Sequence, residues 1–114
     1  MKNEFKIGNK MVGDGHSAII IAEMSGNHRG DFEKAKKMVK TACECGADVI
    51  KLQTFKPDSL TLKSSKKWFQ VKVNESWKGR SLYDLYKEVY TPWEWQPTLQ
   101  KIAQSYGVPL FSTA

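Results

Sequence analysis

Glu23, Lys51, Gln53, Ser112 and Thr113 are the side chains of this 114-residue chain best suited by type and place to do chemistry. Each sits at or near the end of a short apolar run. Ala18-Ile19-Ile20-Ile21-Ala22 precedes Glu23, Val49, Ile50 and Leu52 surround Lys51 and lead to Gln53, and Val108-Pro109-Leu110-Phe111 precedes Ser112 and Thr113. If those runs are parallel strands, the polar groups gather at the carboxyl ends, where α/β enzymes carry their sites. A lysine there is placed to meet a phosphate or a carboxylate. Plainer readings stand beside this one: Glu23 caps the next helix or pairs with Lys51, Lys51 is a solvated strand end, and Ser112 and Thr113 satisfy backbone groups of a turn. Recurrence at three successive strand ends favours an enzyme.

Asn27 and His28 lie in the loop that follows Glu23. No second histidine or carboxylate accompanies His28 at ligand spacing, and His16 falls on the far side of the strand, so His28 reads as a hydrogen-bonding scaffold and no complete metal site is legible. Trp77, Tyr83, Tyr86, Tyr90, Trp93 and Trp95 are dense. Their helical spacing favours core packing over stacking on nucleic acid. Trp77, in a long loop, is the one to place over a substrate, because sugars pack on indole faces.

Composition narrows the class. With 40% hydrophobic and 26% charged residues the chain is that of a globular protein. The net charge of +6 comes from 18 Lys and Arg against 12 Asp and Glu, but the lysines are scattered and no nucleic-acid motif accompanies them. The longest apolar run, Ala18 to Ala22, is far too short to span a bilayer. The opening Met1-Lys2-Asn3-Glu4-Phe5 lacks the apolar core of a secretory signal, so a cytoplasmic location is expected. Cys43 and Cys45 fit neither a C-x-x-C motif nor a zinc site, and on a helix they point about 200° apart.

The elements that must hold the polar groups follow from the pattern. Phe5 to Gly15 predicts a small β-hairpin. Ala18 to Ala22, apolar on both faces, predicts a strand inside a parallel sheet. Asp31 caps a helix whose stripe is Phe32, Ala35, Met38, Val39, Ala42 and Cys45, stopped by Gly46. Ala47 to Gln53 is a second strand. The stretch from Thr54 to Arg80 is irregular by pattern, and a loop that long is usually functional or misread. Ser81 to Val89 predicts a short helix, Thr91 caps another with Pro92 at its first position, Gly107 ends it, and Val108 to Thr113 is the third strand. The order means α/β with a parallel sheet.

Four motifs carry a resemblance over nearly the whole chain. Ile20-Ile21-Ala22-Glu23-Met24-Ser25-Gly26-Asn27-His28 resembles the opening strand and loop of the sialic acid synthase superfamily, Gly46 to Thr54 its second strand, and Phe111-Ser112-Thr113 its third. The stretch from Trp77 to Glu88, with Thr91-Pro92-Trp93-Glu94-Trp95, is similar to the pseudaminic acid branch. The resemblance implies a hairpin over residues 1–16 and, over 17–114, the first three strands of a (β/α)₈ TIM barrel, with a C-terminal antifreeze-like domain absent. It implies condensation of phosphoenolpyruvate with 2,4-diacetamido-2,4,6-trideoxy-L-altrose, giving a nonulosonic acid and phosphate. Sister activities are N-acetylneuraminate and legionaminate synthases.

Residue by residue, Glu23 then matches the essential carboxylate, Lys51 the lysine that binds phosphoenolpyruvate, Gln53 a position facing the sugar, Thr113 a hydroxyl on the phosphoenolpyruvate, and Trp77 a sugar contact. A divalent metal (Mn²⁺, Mg²⁺ or Co²⁺) is expected in the complete enzyme, held by a later histidine pair outside this chain. The complete enzyme is expected to be a domain-swapped homodimer with no nucleic-acid or membrane partner. The 114-residue chain is expected to be an N-terminal fragment without synthase activity of its own. The alternatives outside enzymes are an inactive remnant and a small basic binding protein.

Overall fold

The computed structural model describes residues 3–72 and 76–113. Met1, Lys2 and Ala114, the outer ends of the two expected segments, lie outside the described residues, as do Val73, Asn74 and Glu75 of the long loop.

The chain opens with an antiparallel hairpin, β1 (Glu4–Ile7) and β2 (Lys10–Gly13). Its two-residue turn needs a positive φ at the first position, and Gly8 supplies +59°. Gly8 is required for a second reason. A Cβ there would lie 2.4 Å from Cγ of Pro109, so the turn packs directly against the residue that leads into the last strand.

The main sheet is parallel, in the order β3 (Ile21–Glu23), β4 (Val49–Gln53), β5 (Leu110–Thr113). Between β3 and β4 runs α1 (Phe32–Glu44), capped as expected by Asp31, whose carboxylate accepts the N–H of Lys34 at 2.9 Å. Between β4 and β5 come α2 (Pro57–Leu60), a 3₁₀ turn (Lys67–Phe69), α3 (Leu82–Val89), a second 3₁₀ turn (Trp93–Trp95) and α4 (Gln96–Ser105). Ser81 caps α3 by accepting the N–H of Asp84 at 3.1 Å.

Both longer helices cover the same face of the sheet. Ile50 and Leu52 of β4 are buried with Ala35, Val39 and Cys43 of α1 and with Leu99 and Ala103 of α4. The other face carries Glu23, Lys51, Gln53 and Thr113, since side chains alternate along a strand.

Three expectations change. The first strand was expected inside the sheet, yet among the described residues β3 has β4 on one side only, and Ile20 stays 65% exposed. The α1 stripe ends on Cys43, one turn after Val39, and Cys45 is exposed beyond the helix. Thr91 does not cap α4, which starts five residues later behind a 3₁₀ turn; Thr91 is wholly buried instead.

The hairpin is tied to the amino-terminal end of the sheet. Asp48 accepts the N–H of Ile20 at 2.8 Å and pairs with Lys10 of β2 at 3.2 Å. The Ile20 N–H, and then Lys10, hold the Asp48 carboxyl below its usual range. A depressed carboxyl stabilises the fold above the ordinary carboxylate pKa, and that contribution disappears as pH falls through the folded value. Asp48→Asn should therefore lower the melting temperature at pH 7. The gap from the parent chain should shrink as pH is brought below the carboxylate range, as followed by circular dichroism.

Candidate active site

Parallel pairing sets Glu23 opposite Lys51 and Gln53 opposite Thr113. Because Lys51 and Gln53 are two residues apart, all four share one face at the carboxyl end of the sheet. They line an open cavity of about 130 Å³ together with Ser25 and Leu52. Lys51 Nζ donates to Glu23 Oε1 at 2.6 Å, the pairing foreseen as the plainer reading of Glu23. The Glu23 side chain is 61% exposed. A pair this open to water contributes about 0–1 kcal/mol, too little to be what joins β3 to β4.

The loop after β3 brings in Ser25, at φ +49°, whose Oγ donates to Gln53 Oε1 at 3.3 Å. Thr113 Oγ1 reaches the Leu52 carbonyl at 3.5 Å. Ser112, in contrast, faces away from the cavity. Its Oγ accepts the N–H of Thr54 at 3.1 Å and lies 2.8 Å from Thr54 Oγ1, which also accepts from Gln96 Nε2 at 2.8 Å. Its work is structural: it joins β5 to the end of β4.

Trp77 lines an adjoining cavity of about 420 Å³, which shares Ser25 and Gln53 with the first and adds Asn27, Arg29 and Val89. Its indole lies under two guanidinium groups, Arg29 at 5.5 Å and Arg80 at 5.2 Å, and Arg80 is held by Glu88 at 2.7 Å. Trp77 thus sits beside the Lys51 cavity, outside its wall. Tyr83, Tyr86 and Tyr90 belong to α3 and its end, where Tyr86 and Tyr90 pack on Phe55.

His28 is the residue whose importance the sequence understated. It is 2% exposed and uses both ring nitrogens: the Gly30 N–H donates to Nδ1 at 3.1 Å, and Nε2 lies 2.9 Å from Thr91 Oγ1. Burial, then Lys34, push its pKa below the ordinary histidine value, and Asp31 opposes them. The scaffold reading of His28 holds. Its partner went unseen because Thr-Pro also reads as a helix start. Among the described residues no three His, Cys, Asp or Glu side chains gather to hold a metal ion. Those side chains by themselves do not fit one, and no step below is routed through a cation. No helix of the described residues is long and apolar enough to cross a membrane.

A parallel sheet with helices on one face and a charged pair at the strand ends defines an α/β protein with a candidate site on the carboxyl rim. The NeuB family profile matches residues 38–114, and the chain belongs to that family. It is 48% identical over 94 residues to the pseudaminic acid synthase of Campylobacter jejuni, a match spanning 82% of this chain and 27% of that protein. It is 36% identical over 106 residues to the N,N'-diacetyllegionaminic acid synthase of Legionella pneumophila, spanning 93% of this chain and 30% of that one. The crystal structure of an N-acetylneuraminic acid synthetase from Leptospira borgpetersenii, in complex with citrate, superposes with a TM-score of 0.75 at 23% identity, over 98% of this chain and 34% of the other. At that identity the likeness speaks for the fold. The chain thus spans 27–34% of the length of these relatives.

Gly26 lets the loop after β3 close on α3. A Cβ there would lie 2.4 Å from Val89 Cβ and 2.9 Å from the Val89 carbonyl. Gly26→Ala should cost about 1–3 kcal/mol, the usual range for overpacking, measured by urea denaturation.

Proposed function

We propose that this chain forms the phosphoenolpyruvate-facing sector of a nonulosonic acid synthase, condensing phosphoenolpyruvate with 2,4-diacetamido-2,4,6-trideoxy-L-altrose to give pseudaminic acid and phosphate. One observation carries the reading: the Lys51–Glu23 pair stands at the carboxyl rim in one cavity with Gln53 and Thr113. The sequential order β3-β4-β5 with α1 and α4 on one face fits the first three strands of a (β/α)₈ barrel, and the superposition on the Leptospira borgpetersenii synthetase supports that reading. The higher identity to the pseudaminic acid synthase favours the altrose derivative over the legionaminate precursor.

The chemistry asks a cation to hold an anion and a carboxylate to manage protons. Lys51 has three N–H donors and gives one to Glu23. The others can meet the phosphate or carboxylate of phosphoenolpyruvate, with the Thr113 hydroxyl beside them. Carbon 3 of the enolpyruvate attacks the sugar aldehyde, whose oxygen takes a proton. Water adds at carbon 2 and gives one proton to Glu23, which makes good the proton delivered to the aldehyde oxygen. The tetrahedral intermediate then collapses as the bond between carbon 2 and the bridging oxygen breaks, its hydroxyl proton leaving with the phosphate, and the 2-keto acid remains. Gln53 faces the sugar, and Trp77 bounds the adjoining cavity on that side. The reading also takes in a divalent cation (Mn²⁺, Mg²⁺ or Co²⁺) held by residues other than those described, a domain-swapped homodimer and a cytoplasmic location.

The chain by itself is proposed to lack synthase activity, because the described residues wall the cavity from one side of an open sheet. Incubated with both substrates and manganese it should release no phosphate, and release would overturn this. A chimera in which this chain replaces the matching segment of the Campylobacter jejuni synthase should release phosphate with the altrose derivative. Lys51→Met in that chimera should lower kcat/KM by roughly a hundredfold or more. A folded chimera that turns over only N-acetylmannosamine would move the assignment to the sister activity, and unchanged kinetics in Lys51→Met would remove Lys51 from the site.

A further inference from the structure

We infer that His28 is a positioning residue: through Thr91 it ties the loop after β3 to the carboxyl end of β4, and so sets Ser25 and Gln53 on one wall of the cavity. The inference rests on the reading of that cavity as the substrate site, and adds a residue that does not line it.

The link is continuous. The Gly30 N–H can only donate, so Nδ1 of His28 carries no proton and the ring's single N–H is at Nε2. That N–H donates to Thr91 Oγ1 at 2.9 Å. The backbone N–H of Thr91 donates in turn to the Gln53 carbonyl at 3.3 Å. From Gln53 the line returns to its start, since the Gln53 amide oxygen accepts from Ser25 at 3.3 Å, three residues before His28. The circuit is dry at its centre: His28 is 2% and Thr91 0% exposed, so neither group can exchange its partner for water. Trp95 sets the ring plane, edge to face at 5.2 Å.

The neutral ring is essential to this arrangement. A proton on Nδ1 would set donor against donor at Gly30. The charged groups facing the ring are Asp31 from its own loop and Lys34 from α1, while Thr91 and Trp95 on the other side do not titrate in this range. Burial and Lys34 outweigh Asp31, so the ring stays neutral below the ordinary histidine pKa of 6.5. The unfolded chain takes its proton first, so the fold loses stability as pH falls through that value.

The test uses the 114-residue chain labelled with ¹⁵N. A long-range ¹H–¹⁵N spectrum of the unaltered chain should show His28 as the Nε2–H tautomer at pH 7, and an Nδ1–H tautomer would overturn the inference. Thr91→Val keeps the side-chain shape and removes the hydroxyl. It should shift the Gln53 side-chain amide pair and the Ser25 amide, while Ile20 at the other end of the sheet holds its position. Thr91→Ser should restore the parent signals. Equal signals for Gln53 and Ser25 in the Val and Ser variants would sink the inference; if the Val variant does not fold, the tautomer and the Ser variant decide. Titration with phosphoenolpyruvate separates the two claims. Loss of any Lys51-dependent shift, judged against Lys51→Met, counts against the cavity's assignment and leaves the His28 result standing.

Discussion

The parallel register of β4 with its two neighbours is the constraint on which the rest depends. It places Glu23 beside Lys51 and Thr113 beside Gln53, and on the other face it sends Ile50 and Leu52 under both helices. A slip of one residue would exchange the faces, burying the lysine and exposing the core. The energies say which side decides. Each fully buried Ile or Leu contributes about 1.5–3 kcal/mol, whereas an open ion pair gives about 0–1 kcal/mol. The apolar face therefore holds the register, and the polar rim is carried to its place by it. That leaves the charged pair free to serve a ligand instead of the fold.

This division explains which parts were legible in the sequence. The strand around Ile50, the Asp31 cap, the stripe from Phe32 to Ala42 and the Ser81 start of α3 rest on local periodicity and capping chemistry, and those rules act within a few residues. Lys51, Gln53 and Thr113 could be placed together because strand ends are easy to read and parallel strands align them. Thr91 could not. Its role depends on His28, 63 residues earlier, and a Thr-Pro pair signals a helix start to any local rule. Cys43 and Cys45 show a milder form of the same failure. The spacing points to Cys45, but the helix ends at Glu44, and Cys45, already past it, adopts a non-helical turn while Cys43 takes the buried place. The β-branched run at Ile20 read as interior because pattern reports apolarity, and how many neighbours a strand has is a property of the whole sheet.

The loops deserve the same physical accounting as the strands. The segment from Thr54 to Arg80 looked structureless, yet it holds a helical turn and a 3₁₀ turn, and its far end is closed by a bridge between Gln70 and Ser81. Trp77 projects from this returning arm to lie under Arg29 of the first loop. The same first loop is pressed against Val89 through Gly26, where a single methyl group would collide. Two loops of different length are thus brought to one height on the rim by a close approach and a cation–π contact.

The rim's electrostatics differ from those of the layer beneath it. Lys51 and Glu23 meet at 2.6 Å, but the carboxylate is mostly in water, so sharing the Lys51 ammonium with an incoming anion would cost the fold little stability. The groups below are built the opposite way. Thr54, His28 and Thr91 are buried, each with a hydrogen-bond partner, and no described buried side-chain nitrogen or oxygen is left unpaired. Leaving such a group without its partner costs about 1–3 kcal/mol, which makes that layer rigid. A dry, satisfied layer under an open charged pair is the arrangement a polar reaction needs: the groups that hold geometry are not the groups that meet the substrate, so binding can rearrange one without loosening the other.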